Sequence, residues 1–463
     1  MIDRDTAVPT PPPSAPTIDA SKLAQLQQTA ASVSQRVVKV ALLYGGTSGE
    51  REVSLASGAA VREVLQAEGF NVTAIDTAAP CFADSLLASR PDLAFIALHG
   101  QGGEDGCIQG FLETLHIPYT HSGVAASALA MDKRVSKLLY QDAGLYTAAF
   151  TTISKADWLD GGRADEGRAD GGRADAPASP PATAAATTTP TAGLVAPATT
   201  GAPATPAATT TPAGAVAPAS PPATADALLA TVGLPCVVKP VCDGSSLGVS
   251  IPKTRAEFLT AVAAGFAVAD DLLIEEFIEG VEVTVPVLGN SGGAGDALSG
   301  AGSAVAGDTS GVNPAGVPNA SAPPAAATPH TGSDRTPSAE LLALPVIEIV
   351  PKNEFYDYES KYAEGGSEHI IPARISARET ALCQRVAIEA HRALGCDGVS
   401  RTDIIVTPRG EACVIETNTI PGMTGTSLIP EDARKVGLTS GELYRLLMHY
   451  ALQRTATQRT ATP

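Results

Sequence analysis

An α/β protein of several domains, opening with a doubly wound parallel sheet, is what this chain predicts, and three observations carry the expectation. Short apolar runs alternate with helical stretches through its first third, the pattern of parallel strands covered by helices on both faces. Glycine-rich turns follow the carboxyl ends of those runs, where open α/β sheets hold their ligands. Two tracts of Ala, Pro, Thr and Gly interrupt the rest without apolar periodicity, so the fold is built from fewer than the 463 residues present.

The Pro-rich start, residues 1–35, has little apolar surface to bury and is expected to be an unstructured tail. Residues 37–44 read as a strand buried on both faces, which ends in Gly45-Gly46-Thr47-Ser48-Gly49-Glu50 before a helix running to Glu68. That turn lacks both the G-x-G-x-x-G spacing and the Walker lysine, which weakens a dinucleotide or P-loop reading. Glu50 fits either a first-turn acid favoured by the helix dipole or a substrate contact. Strands at 71–76 and 93–98 continue the alternation, and the latter runs into His99-Gly100-Gln101-Gly102-Gly103-Glu104. Its glycines let the backbone approach a ligand; a flexible turn with a solvent-facing His99 is the alternative. Met131-Asp132-Lys133 then opens a helix leading out of this first domain, 36–132.

Three tandem Gly-Arg-Ala-Asp copies introduce the first low-complexity insert, 161–223, which carries no aromatic residue. A strand at 235–240 carries Lys239 at its end and faces the loop Asp243-Gly244-Ser245-Ser246-Leu247-Gly248. A lysine so placed suits phosphate as a point charge, although a solvated lysine would read the same. Residues 272–278 form an apolar strand containing Glu275 and Glu276, and 281–285 alternate cleanly. The second insert, 290–337, is flanked by strand-like segments and is expected at a hairpin tip. These features divide the remainder into a central domain, 133–278, a C-terminal domain, 279–452, and a tail, 453–463.

The densest grouping of charge lies in Arg401-Thr402-Asp403-Ile404-Ile405-Val406 and Cys413-Val414-Ile415-Glu416-Thr417-Asn418, two strand-like runs joined by turn residues. With Arg409-Gly410 as the hairpin tip, counting outward sets Asp403 opposite Glu416 and Arg401 opposite Asn418. These four then share one face, and Ile404, Val406, Cys413 and Ile415 share the other. Two carboxylates opposed at about 5 Å repel each other. A hard divalent cation would remove the repulsion, and two carboxylates with an amide oxygen suit Mg²⁺. On these residues alone a wet, charged hairpin face remains the other reading. Pro421-Gly422-Met423-Thr424-Gly425-Thr426-Ser427 follows, a turn suited to presenting backbone N–H groups to an anion beside a metal.

Composition excludes several classes. A net charge of −18 with scattered Lys and Arg argues against nucleic acid as a partner. Seven cysteines without a C-x-x-C pair suit reduced thiols in a cytoplasm. No signal-peptide pattern or membrane-length apolar run is visible, so no membrane association is expected.

The motifs GGTSGEREVSL, LHGQGGEDG, YTHSGVAASALAMDK, VVKPVCDGSSLGVS, FYDYESKY and ETNTIPGMTGTSL, in this order, closely resemble the D-alanine–D-alanine ligases of the ATP-grasp superfamily. The resemblance spans about 39–450 apart from the inserts. It implies an ATP-grasp fold: an N-terminal α/β substrate domain, a small central domain, and a C-terminal α+β domain that encloses ATP with the central one. It further implies an ATP-dependent ligase joining two D-alanines through an acyl phosphate for peptidoglycan precursor synthesis, in the cytoplasm and as a homodimer.

Residue by residue, the resemblance implies that Asp403, Glu416 and Asn418 hold two Mg²⁺ (or Mn²⁺) ions. Arg401 and the backbone near Gly422 fall where the family stabilises the oxyanion. Glu50 matches the partner of the first alanine's ammonium, completed by Ser245 and Tyr362, with His99 close by, and Ser427 matches the residue that holds the second alanine's carboxylate. Lys133, Lys239 and Lys361 match phosphate-binding lysines. Glu275, Glu276, Phe277 and Ile278 match the adenine segment and Glu282 the ribose-binding acid. Lactate-using relatives tend to replace the tyrosine that stands here as Tyr362. Ser400 and Thr402 flank Arg401 where members often carry Gly and an aliphatic residue, and neither departure removes a ligand.

Overall fold

The computed structural model describes residues 18–33, 38–159, 222–242, 248–292, 341–351 and 367–461. A helix, α1 (Ala20–Ala31), stands within the segment expected to be an unstructured tail. Asp19 caps it by accepting the Ser21 N–H, and Leu26, Ala30 and Val33 form a buried stripe. Its packing partner lies more than 400 residues away, which is why local composition did not reveal it.

Strands β1 (Lys39–Tyr44), β2 (Asn71–Asp76) and β3 (Leu93–Ile96) form a parallel sheet in the order β2-β1-β3. Val40 to Leu43 and the whole of β3 are buried, as continuous apolar runs require. Helix α2 (Arg51–Ala67) follows the first glycine turn, and α3 (Phe82–Ser89), α4 (Cys107–Thr114) and α5 (Val124–Met131) complete this unit. Arg51 makes a two-pronged contact with Asp76, 3.0 and 2.6 Å, and donates to the Gly46 carbonyl, fixing the turn against β2.

Helix α6 (Lys133–Asp142) is capped by Asp132, whose side chain accepts the Arg134 and Val135 N–H groups. The sequence reading places it at the start of the central domain, but it buries Tyr140 in the core of the larger sheet instead. The central sheet has the order β4-β6-β5, from β4 (Phe150–Ser154), β5 (Cys236–Pro240) and β6 (Asp271–Glu276). Helices α7 (Pro222–Val232) and α8 (Arg255–Gly265) cover it through Leu228, Val232, Phe258 and Val262.

The larger sheet is antiparallel, ordered β10-β9-β7-β11-β12 with β8 also paired to β7. Its strands are β7 (Val281–Leu288), β8 (Leu342–Ala343), β9 (Ile347–Pro351), β10 (Ser367–Ile370), β11 (Val399–Val406) and β12 (Ala412–Asn418). The pairing of Leu288 with Leu342 bears out a hairpin around the second insert. One face is covered by α9 (Ala377–Ala393), which starts in a capping box between Ser376 and Glu379.

The chain then returns to its first domain through α10 (Leu428–Lys435) and α11 (Ser440–Ala461). Tyr444 meets Phe95 edge-on, 5.5 Å between ring centres, and Leu443, Leu447 and Met448 share one core with α1, β1 and β3. The expected tail at 453–463 is helical through Ala461. Arg454 within it is half-buried, stacks on the Tyr119 ring and donates to the Tyr119 and His121 carbonyls. All seven cysteines are free. Among the described residues no helix is long and apolar enough to cross a membrane.

Candidate active site

The hairpin β11–β12 has the expected outer register: Arg401 pairs with Asn418 and Asp403 with Glu416. Beyond Asp403 the register slips by one, so Ile404 faces Val414 and Val406 faces Ala412. The tip is a longer turn than Arg409-Gly410 alone, closed by the Thr407 N–H on the Glu411 carbonyl, and the extra residue is absorbed as a bulge near Ile415. The facing of the apolar residues is corrected accordingly. Val414 joins Ile404 and Val406 in the main core, while Cys413 and Ile415 pack with Ile405, Ile278 and Ala148 between the two antiparallel sheets.

Cations already neutralise the opposed carboxylates. Arg401 holds both oxygens of Asp403, 3.0 Å each, the Thr284 hydroxyl donates to Asp403 at 2.5 Å, and the Lys133 ammonium lies 3.5 Å from Glu416. No group of three His, Cys, Asp or Glu side chains able to hold a metal occurs among the described residues. Two carboxylates and the Asn418 amide form an oxygen-only set, which fits a hard cation that takes its remaining ligands from phosphate and water.

Beside the hairpin opens a cavity of about 530 Å³ whose lining includes Glu50, His99, Glu104, Arg401, Asn418, Gly422 and Ser427, together with His369 and Thr426. Glu50 stands at the N-terminus of α2, and His99 and Glu104 lie on the glycine loop after β3. His99 is buried, and desolvation, opposed by the Ile420 carbonyl and aided by the Arg401 charge, lowers its pKa to about 4, so the ring is neutral. Burial and then the nearby Glu50 charge push Glu104 upward, while its carboxylate accepts the Gly100 N–H at 2.8 Å. Ser427 stands at the N-cap position of α10 without a side-chain capping bond, its hydroxyl turned instead toward Thr424, whose N–H it accepts at 3.0 Å. A Cβ on Gly422 would stand 2.9 Å from the Ser427 oxygen, so these two residues are in close apposition.

A smaller cleft, lined by Glu104, Lys133, Glu416 and Asn418, adjoins this cavity through residues common to both. Farther along, Lys239 and Lys137 both contact the Glu275 carboxylate, 2.5 and 2.7 Å. Desolvation disfavours the charge on Glu275, yet the two lysines outweigh it and hold the carboxyl below its ordinary value. Desolvation also lowers Lys137, whereas for Lys239 the Glu275 and Glu416 charges overcome it and raise the ammonium. Ile278 is buried in the apolar group between the sheets, Phe277 is half-buried and Glu276 exposed. Glu282, half-buried on β7, pairs in register with Ile405.

A family model described as D-ala D-ala ligase C-terminus matches residues 200–299 and 337–449, and one described as D-ala D-ala ligase N-terminus matches 80–122. The D-alanine–D-alanine ligase of Halalkalibacterium halodurans is 35% identical over 418 residues, covering 90% of this chain and all of the relative. The chain belongs to the D-alanine–D-alanine ligase family. The corresponding ligase of Geotalea uraniireducens is 36% identical over 418 residues, covering 90% of this chain and 96% of its own. Among solved structures, the D-alanine–D-alanine ligase from Bacillus anthracis complexed with ATP superposes with a TM-score of 0.58 at 21% identity, covering 91% of this chain and 100% of that one. The VanG D-Ala:D-Ser ligase from Enterococcus faecalis gives 0.56 at 24%, covering 89% and 99%. These likenesses show the ATP-grasp fold.

Of the residues expected at a site, the structure gathers Glu50, His99, Arg401, Asn418, Gly422 and Ser427 around the main cavity. It sets Asp403, Glu416 and Lys133 beside it, and Lys239 and Glu275 together beyond. Ser245, Lys361 and Tyr362 lie outside the described residues. Four residues were missed. Lys137 follows Lys133 by four on one helix and was legible from that spacing. Glu104 stood within a motif already singled out. Thr284 meets Asp403 only through strand pairing, and Ser57 meets His99 only through tertiary packing.

Proposed function

We propose that this protein is an ATP-dependent ligase that joins two D-alanines into D-alanyl-D-alanine through an acyl phosphate, supplying a peptidoglycan precursor. The observation that carries the proposal is the cavity in which an acid at a helix N-terminus, an arginine, a turn of backbone donors and the serine preceding α10 converge. Glu50 binds the ammonium of the first D-alanine and so aims its carboxylate toward the phosphate-binding side. Lys133 and Lys239 contact the phosphates of ATP there as point charges. The apolar group of Ile278, Cys413 and Ala148 gives the purine a dry surface on the segment that joins β6 to β7, and Glu282 takes the ribose. Asp403, Glu416 and Asn418 would hold two Mg²⁺ (or Mn²⁺) ions, which supply charge neutralisation for phosphoryl transfer.

The amine of the second D-alanine, whose carboxylate Ser427 and the N-terminus of α10 receive, then attacks the carbonyl carbon of the acyl phosphate. Arg401 and the Gly422 N–H stabilise the oxyanion, and phosphate leaves. Ser245, Lys361 and Tyr362 complete the site by their motifs. The protein works in the cytoplasm as a homodimer. Phosphate release from ATP with D-alanine against L-alanine, with the product identified by mass, tests the proposal. D-Alanine-dependent turnover yielding the dipeptide is expected, and turnover with neither enantiomer would overturn it.

A further inference from the structure

We infer that Ser57 is a positioning residue for this reaction, acting through His99 and the 420–423 turn that carries Gly422. The inference rests on the ligase reading for its consequence but on geometry for its content. Ser57 is fully buried on α2, two turns beyond Glu50 and on the same face. Its oxygen lies 3.0 Å from His99 Nε2 and 3.4 Å from the Met423 N–H. A hydroxyl has one proton and two lone pairs. Since the Met423 amide can only donate, a lone pair of Ser57 faces it, which leaves the hydroxyl proton and one further lone pair for His99.

The Ile420 backbone decides between them. A carbonyl can only accept, so the ring nitrogen not facing Ser57, Nδ1, carries the proton of the neutral ring, and Nε2 accepts from the Ser57 hydroxyl. On the other side of the same residue the Ile420 N–H faces the Glu104 carboxylate. The Met423 carbonyl in turn accepts the Tyr444 hydroxyl at 2.8 Å. The turn is therefore gripped on both sides of Gly422: at residue 420 by the glycine loop after β3, and at residue 423 by α2 and α11. The N–H of Gly422 is thus aimed from both sides, and on the residue-423 side by Ser57 and Tyr444, which do not line the cavity.

His99, engaged at both nitrogens, is a tie and not a base. Oxyanion donors are effective only when held within a few tenths of an ångström of the developing charge, so loosening the turn should slow amide formation more than acyl-phosphate formation. In amide formation the amine nitrogen bonds to the carbonyl carbon as the carbon–oxygen bond to phosphate breaks, phosphate takes the electron pair, and the amine proton passes to solvent. If that step lags, water takes the amine's place at the same carbon, returning D-alanine and phosphate.

The test uses the full chain with ATP, Mg²⁺ and D-alanine, and compares the parent with Ser57→Ala. The variant should form dipeptide about tenfold more slowly, a change of about 1.4 kcal/mol in barrier. Its KM for ATP should stay within about twofold, and it should release several phosphates per dipeptide where the parent releases one. A phosphate-to-dipeptide ratio equal to the parent's, whatever the turnover, would overturn the inference, because a purely structural loss scales both products alike. Nitrogen NMR of ¹⁵N-histidine-labelled parent protein gives a reading independent of activity. His99 should be the neutral Nδ1–H tautomer, and finding the proton on Nε2 would overturn the inference even if no dipeptide were made. A parent that binds its histidine as described but makes no dipeptide would count against the ligase reading alone.

Discussion

Gly100 occupies a left-handed backbone conformation, φ +69°, and a Cβ there would come within 2.6 Å of the Glu50 carboxylate. Gly100→Ala thus combines backbone strain of about 1–2 kcal/mol with pressure on the acid expected to bind the first substrate. Its kcat/KM for D-alanine should fall about tenfold or more while the KM for ATP holds, as steady-state kinetics with each substrate varied would show. Glu104 yields a prediction about pH. Its folded pKa is raised by burial and by Glu50, so the folded state holds this proton more tightly than the unfolded chain does. The group therefore costs no stability below the ordinary carboxylate pKa of about 4.3 and progressively destabilises the fold as pH rises above it. Glu104→Gln removes the ionisation, so the variant should melt higher than the parent at pH 8 and show a much smaller difference at pH 4.5. A difference independent of pH in calorimetry would contradict this assignment.

At the scale of elements, the hairpin β11–β12 presents both the charged partners and the apolar wall of the inter-sheet space. Counting outward from the turn placed Arg401, Asp403, Glu416 and Asn418 correctly because the extra residue in the turn is offset by the extra residue at the bulge, which restores the counted register beyond it. The same count failed for Cys413 and Ile415, since one extra residue in one strand reverses every side chain beyond it. Glu416→Gln should cut dipeptide formation by a hundredfold or so, because it removes charge from the proposed phosphoryl-transfer site. The fold should persist, since the neighbouring Lys133, although buried, lines a small cleft in which water can replace its partner. Circular dichroism with product assay checks both halves, and a folded variant within threefold of the parent would remove Glu416 from the proposed metal ligands.

For the whole molecule, the inserts and chain ends decide what can be removed. Asn290 is not insert: its side chain accepts the Gly398 N–H at 3.0 Å and donates to the Tyr450 carbonyl at 3.0 Å, and the Ser291 N–H reaches Asp397. Residues 222 and 223 likewise begin α7. Replacing 161–221 and 293–337 with short Gly-Ser linkers should leave dipeptide synthesis unchanged and raise the melting temperature slightly, because shortening a loop tenfold recovers on the order of 2 kcal/mol. Extending the second deletion to begin at Asn290 should instead lower it by several degrees, through loss of buried hydrogen bonds worth about 1 kcal/mol each. Thermal melts of the two deletion series distinguish the limits.

The sequence by itself determined the α/β order, the parallel strands of the first domain, the glycine loops at their carboxyl ends and the pairing of Asp403 with Glu416. Each depends on contacts within a few residues or on a pattern that repeats along one element. Only the tertiary structure decided that α1 folds, that α6 belongs to the larger sheet, and that α11 carries Arg454 back to the first domain. It alone showed that Ser57, His99, Glu104 and Tyr444 converge on one turn. Those outcomes depend on which distant surface covers an apolar stripe and which distant donor meets a buried acceptor. Burial and hydrogen-bond satisfaction are set by the assembled core, and neither leaves a period or a spacing in the chain from which it could be read.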